Sequence, residues 1–202
     1  MKKVVSGILA IYVALSISAC GSTPSANSSD TTQVNAQTSE NTQPLEVRYP
    51  NIKAFDWSFT DVSTGLIDLM QTSFPDALSD DPTVKDTEGD DTLPPNTSYT
   101  YDVGPGITLT LYETSDTHEL YQIFVYADLP EANLGDSPNR IAFLCGLILG
   151  MFESDENTGN RIYAQLNPSN VSTPGTWNAD GDASSWTYIV SDNNIMYNIT
   201  AL

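Results

Sequence analysis

The sequence predicts a single α+β domain over residues 48–202, an antiparallel sheet of about five strands packed against two or three helices. Three observations carry this. Stretches of alternating apolar and polar residues come in neighbouring pairs joined by turn residues, which is the pattern of hairpins and not of strand–helix–strand crossovers. Two stretches, near residues 59–74 and 141–152, instead place apolar residues at helical spacing or in an unbroken apolar run. The aromatic residues, Tyr12 excepted, all follow Arg48, so the material for one core lies in that part of the chain.

The elements follow in order. Phe59, Val62, Leu66, Leu69, Met70 and Phe74 share a helical face and Pro75 stops it, giving a helix near Thr60–Ser73. Asp76–Asn96 is acidic, carries Pro82, Pro94 and Pro95, and reads as a long surface loop. Thr97–Val103 and Ile107–Glu113 alternate about Gly104-Pro105-Gly106 as a hairpin, and Leu120–Ala127 supplies a third strand. Ser137 precedes Pro138 as a capping hydroxyl before a proline at the first helical position, and Ile141–Phe152 follows as a helix apolar on all sides, hence central and buried. That run is below the roughly 18 residues a membrane span needs. Its boundary residue Glu153 sits at the negative end of the helix dipole, which predicts a slight gain in stability on neutralisation. A short helix near Asn160–Leu166 and a hairpin of Trp186–Val190 with Ile195–Ile199 complete the domain.

Charge excludes several functions. Against 7 Lys and Arg stand 26 Asp and Glu, a formal net charge of -19, which repels phosphate backbones and argues against nucleic acid as a partner. One histidine and two cysteines are too few for a Cys/His zinc site or a disulfide framework, and no motif asks for a cofactor.

The N-terminus has the three regions of an export signal: Met1-Lys2-Lys3, the uncharged apolar stretch Val4–Ile17, and Ser18-Ala19-Cys20-Gly21. Ile17-Ser18-Ala19-Cys20 resembles the lipobox of bacterial lipoproteins, with Ile17 where that family most often has leucine. The resemblance implies removal of residues 1–19, a diacylglyceryl group on the Cys20 sulfur, a further acyl chain on its amine, and a protein held at the extracytoplasmic face of a membrane through its N-terminal lipid. Two or more chains hold where one binds only marginally, because each buried methylene contributes about 0.8 kcal/mol. Residues 20–47 then form a tether. Between Gly21 and Gln43 it is mostly Ser, Thr, Asn and Gln, with Ala26, Val34 and Ala36 its apolar members, so burial cannot offset its chain entropy. As a flexible coil it spans on the order of 25–30 Å.

Within the domain the candidates for chemistry are few. His118, in a loop, would serve a hydrolase as a base oriented by Asp116 or another carboxylate, with no serine identified to partner it. Cys145, inside the apolar helix, reads as a packed and unreactive thiol. Asp86, Glu88 and Asp90, and separately Asp180 and Asp182, put oxygen ligands on alternate residues as hard cations prefer, but neither stretch completes an EF-hand. Trp177, in a turn-rich segment, is a candidate for stacking on a ligand. The expectation is a lipid-anchored extracytoplasmic protein with a non-catalytic binding or interaction domain whose ligand is a protein or a glycan. The competing expectation is a cell-surface hydrolase using a pair of carboxylates.

Overall fold

A computed structural model describes residues 43–74, 81–128 and 137–202. Cys20 and the tether up to residue 42 lie outside the described residues, as does Pro75. The order of elements is α1 (Leu45–Arg48), α2 (Phe59–Ser73), β1 (Thr83–Thr87), β2 (Asn96–Gly104), β3 (Ile107–Thr114), β4 (Leu120–Asp128), α3 (Ser137–Phe152), α4 (Glu156–Leu166), β5 (Gly175–Asp180), β6 (Ser184–Val190) and β7 (Asn194–Ala201). All strand pairs are antiparallel, in the spatial order β1-β2-β3-β4-β7-β6-β5. Two meanders therefore meet at the β4–β7 pair.

The class is α+β as expected, but the sheet has seven strands where the sequence predicts about five. The two extra strands are its edges. β1 lies within the stretch that reads as surface loop, and every residue of Thr83–Thr87 is exposed. An edge strand has one neighbour to satisfy and little surface to bury, so it needs no apolar alternation, and Lys85 is the kind of residue that blunts such an edge. β5 escapes notice because Gly175, Asn178 and Asp180 are turn formers, while its contribution to the core is Ala179 with Trp177 packed at the margin.

Local chemistry sets the helix ends. The Ser58 hydroxyl accepts the Asp61 N–H at 3.2 Å to open α2, and Asp155 accepts the Thr158 N–H at 2.9 Å to open α4. α4 closes on Asn167 in the left-handed region, φ 48°, a conformation asparagine tolerates. It begins one turn before the predicted Asn160 because this cap lies upstream of the apolar residues that signal it. At the β2–β3 turn Gly106 has φ 66°, which a side chain would resist.

The helices share one core with one face of the sheet. Val62, Leu66 and Met70 of α2, Ile141, Leu144, Cys145, Ile148, Leu149 and Phe152 of α3, and Ile162 and Leu166 of α4 meet the inward residues of the strands. Those are Tyr101 and Val103, Ile107, Leu109 and Leu111, Ile123, Val125 and Ala127, Ile195, Tyr197 and Ile199, and Trp186, Tyr188 and Val190. α3 packs beside both α2 and α4, as a helix apolar on most sides should. Among the described residues no helix is long and apolar enough to cross a membrane.

α1 precedes these elements and is itself packed down. Leu45 is fully buried, and the Arg48 guanidinium makes a two-pronged ion pair with Asp116 in the β3–β4 turn. Among the described residues, packing is thus already in place at Leu45, inside the segment read as tether.

Candidate binding sites

The β3–β4 turn carries His118 in the left-handed region, φ 56°, on a side chain that is 73 % exposed. Its Nδ1 lies 3.3 Å from Oε1 of Glu113, a buried carboxylate that also accepts the Tyr99 hydroxyl at 2.8 Å. The carboxylate beside the imidazole is therefore Glu113 and not Asp116, which is engaged by Arg48. Ser115, next in the turn, has its hydroxyl 3.3 Å from that of Thr97, which in turn donates to Asp86 at 2.8 Å. Burial, with help from Glu113, pushes the Tyr99 phenol up to about 12, so Tyr99 stays a donor at any ordinary pH. The arrangement is an imidazole–carboxylate–phenol chain that fixes the end of the β2–β3 hairpin.

The acidic candidates are held apart. Asp90 folds back on its own loop, its Oδ1 accepting the Thr92 N–H and Thr92 hydroxyl, each at 2.6 Å, and the Leu93 N–H at 2.9 Å. The Thr92 and Leu93 bonds hold its carboxyl below the ordinary aspartate value. Asp86 accepts from Thr97, Asp180 accepts the Ser185 hydroxyl at 2.6 Å, and Asp182 accepts the Thr158 hydroxyl at 3.4 Å. Glu88 is an exposed side chain just past β1. No three metal-ligating residues come together among the described residues. Trp177 is half-covered, its ring centroid 5.5 Å from that of Tyr188, which stacks on Tyr197 at 4.4 Å. It thus extends a buried aromatic row. Cys145 is buried, and burial pushes its thiol far above the range in which a thiolate forms.

The residue that sequence reasoning places most wrongly is Glu153. It is 6 % exposed, and its carboxylate accepts the Asp182 N–H at 2.9 Å, the Ser184 N–H at 3.1 Å and the Ser184 hydroxyl at 2.5 Å. The Ser184 oxygen receives the Trp186 indole N–H at 2.6 Å. Glu153 is thus a strut from the end of α3 to the β5–β6 turn, and its three donors outweigh a dipole effect of roughly 0.3–1 kcal/mol. Gly181 is a glycine for the same reason: a Cβ there would lie 2.0 Å from Glu153 Oε1.

The braced turn forms one wall of a pocket of about 180 Å³, where Asp182 and Ala183 face Phe55, Asp56, Trp57 and Phe152. Trp57 is 44 % exposed, and Phe55 and Phe152 touch with ring centroids 4.5 Å apart. Sequence reading misses Trp57 because its neighbours in the pocket come from α3 and the β5–β6 turn, far along the chain. A second, more open hollow of about 300 Å³ lies between α2 and β2, lined by Ser63, Thr64, Ile67, Asp68, Gln71 and Tyr101.

The outward face of the sheet is a further candidate surface. Strand register lines its side chains into rows: Thr100, Thr110, Phe124, Asn198, Thr187 and Asn178 form one. Ser98, Tyr112, Gln122, Thr200, Ser185 and Asp180 form the second, and Asp102, Thr108, Tyr126, Met196, Ile189 and Thr176 the third. α2, α3 and α4 all put their buried side chains on the opposite face. On the four central strands these rows hold hydroxyls, carboxamides, aromatic rings and two aliphatic side chains, with charges confined to the outer strands. Neighbouring polar members pair across strands, as Thr100 with Thr110 at 3.0 Å and Gln122 with Asn198 at 2.5 Å. The chain matches no known protein-family model, no curated protein and no solved structure.

Proposed function

We propose that this is a lipid-anchored extracytoplasmic protein whose domain binds a partner without catalysis, and that the outward face of the sheet is the contact surface. One observation carries the reading: in a chain with 26 acidic residues, the three rows named above carry no charge on β3, β4, β7 and β6, the nearest acid on that face of these strands being Asp128 at the end of β4 beyond them. Solvated surfaces of an acidic protein have no reason to exclude charge from one broad patch, whereas a surface desolvated on binding does, since a buried unpaired charge is costly. The aromatic rings of Tyr112, Phe124 and Tyr126 are suited to contact with a protein or a glycan. The lipid on Cys20 and the polar tether would hold that face clear of the membrane, whose anionic headgroups repel the domain.

Photo-crosslinking in cells tests both halves. A diazirine side chain at Thr187, on β6 within the face, is expected to give discrete adducts that the same group at Gln165, exposed on α4, does not. Cys20→Ala is expected to abolish palmitate labelling and retention at the membrane. Equal adducts at both positions would overturn the contact surface, and an unlabelled wild-type protein would overturn the anchor.

A further inference from the structure

The pocket walled by Trp57 and the β5–β6 turn is built independently of the sheet face. Its aromatic side is Trp57 with Phe55 and Phe152, and its polar side chains are the carboxylates Asp56 and Asp182. Neither carboxylate is in an ion pair among the described residues, and no lining residue is basic. From this geometry we infer that the pocket takes an organic ammonium group, primary or quaternary, on a small molecule or side chain.

The chemistry is that of cation recognition. An indole face attracts a desolvated cation more strongly than any other side chain ring, and carboxylates at the rim balance its charge. An inorganic cation would gain little here: two acids are short of the six or more oxygens that calcium prefers, and aromatic rings do not replace its water shell. An anion meets two carboxylates and a chain charge of -19, which also steers cations toward the surface. The volume of about 180 Å³ admits a head group and little more, so the remainder of the ligand stays outside. Preorganisation comes from Glu153, which grips the Asp182 N–H and Ser184 and so fixes the turn that presents Asp182.

Tetramethylammonium chloride is the probe, titrated into the full-length protein in a nonionic detergent at constant ionic strength, with tryptophan fluorescence as the readout. Trp186 is fully buried and Trp177 half-covered, so the exposed Trp57 should dominate the change, and a Trp57→Phe variant identifies its share. The expected result is saturable quenching that sodium chloride and glucose do not reproduce. Asp182→Asn and Asp56→Asn are each expected to weaken it about tenfold with unchanged melting temperature. Both residues are exposed, so neither substitution should disturb folding. A linear, non-saturating change, one matched by sodium, one retained at full strength in both variants, or saturation by glucose alone would overturn the inference. Adducts at Thr187 do not depend on this pocket, so the sheet-face reading and this one can fail separately.

Discussion

Glu153 shows how position along a helix can mislead. By sequence it is an acid at the wrong end of a dipole; in the fold it is the acceptor for two backbone N–H groups and a hydroxyl that have moved in from the β5–β6 turn. Removing it leaves those donors buried with nothing to meet, at about 1–3 kcal/mol for each group left unsatisfied. Glu153→Ala is expected to cost roughly 2–4 kcal/mol in denaturant unfolding, and Glu153→Gln less, since an amide keeps one acceptor but turns an NH₂ toward donors. A variant as stable as wild type would mean the strut contributes nothing. Tyrosines give a second prediction at this scale. Burial raises the phenols of Tyr99, Tyr121 and Tyr188 to about 12 and that of Tyr197 further, against 10.0 for a free phenol. A folded-state pKa above the unfolded one favours the folded protein fully below pH 10 and loses that contribution as pH climbs through 12. Melting temperature should therefore hold up to about pH 10 and then drop, with the absorbance of these four tyrosinates rising only as the fold is lost. Ionisation of these four near pH 10, before unfolding, would contradict the raised values.

Among the elements, α3 is the one whose environment sequence describes best and whose individual residues it describes least well. The apolar run correctly implies a helix lodged among others, but a run without periodicity does not say which side chains face the sheet. Ile141, Leu144, Ile148 and Phe152 turn inward and are buried, whereas Phe143 and Leu147 are half-covered on the flank, Phe143 meeting Phe74 edge-on at 5.4 Å. Ile148→Ala is accordingly expected to cost about 2–5 kcal/mol and Leu147→Ala only about 1–2, both by denaturant midpoint. Equal losses would mean the helix is rotated from this placement. The strands divide on similar grounds. β2, β3, β4, β6 and β7 each bury one face, so alternation betrays them; β1 buries none and β5 a single alanine, and edge strands of that kind leave almost no hydrophobic trace.

For the whole molecule, class and connectivity of the hairpins were legible because they rest on local alternation and turn residues, which act over a few positions. The sites were not, because each is assembled from distant segments. Glu113 reaches His118 across a turn, but Glu153 reaches Asp182 from another element, and Trp57 finds its pocket partners in α3 and the β5–β6 turn. The neutral sheet face is invisible for a further reason: it is a property of register, produced only when strands from both meanders stand side by side.

The meeting of β4 with β7 also sets a timetable. Gln122 and Asn198, bonded across that central pair, are 76 residues apart, and β7 follows every other strand in chain order. While a ribosome is still making the protein, β4 offers an unpaired edge, and Ile123, Val125 and Ala127 lack the Ile199, Tyr197 and Ile195 that stand beside them in the finished sheet. β5 and β6 can meet the helices but have no strand of the first meander to pair with, since β7 alone connects them to it. Contacts of such long range form slowly. On the export route proposed above, a chain threaded through a channel before it folds would gain from this order of assembly, because the two meanders cannot join until β7 has been synthesised.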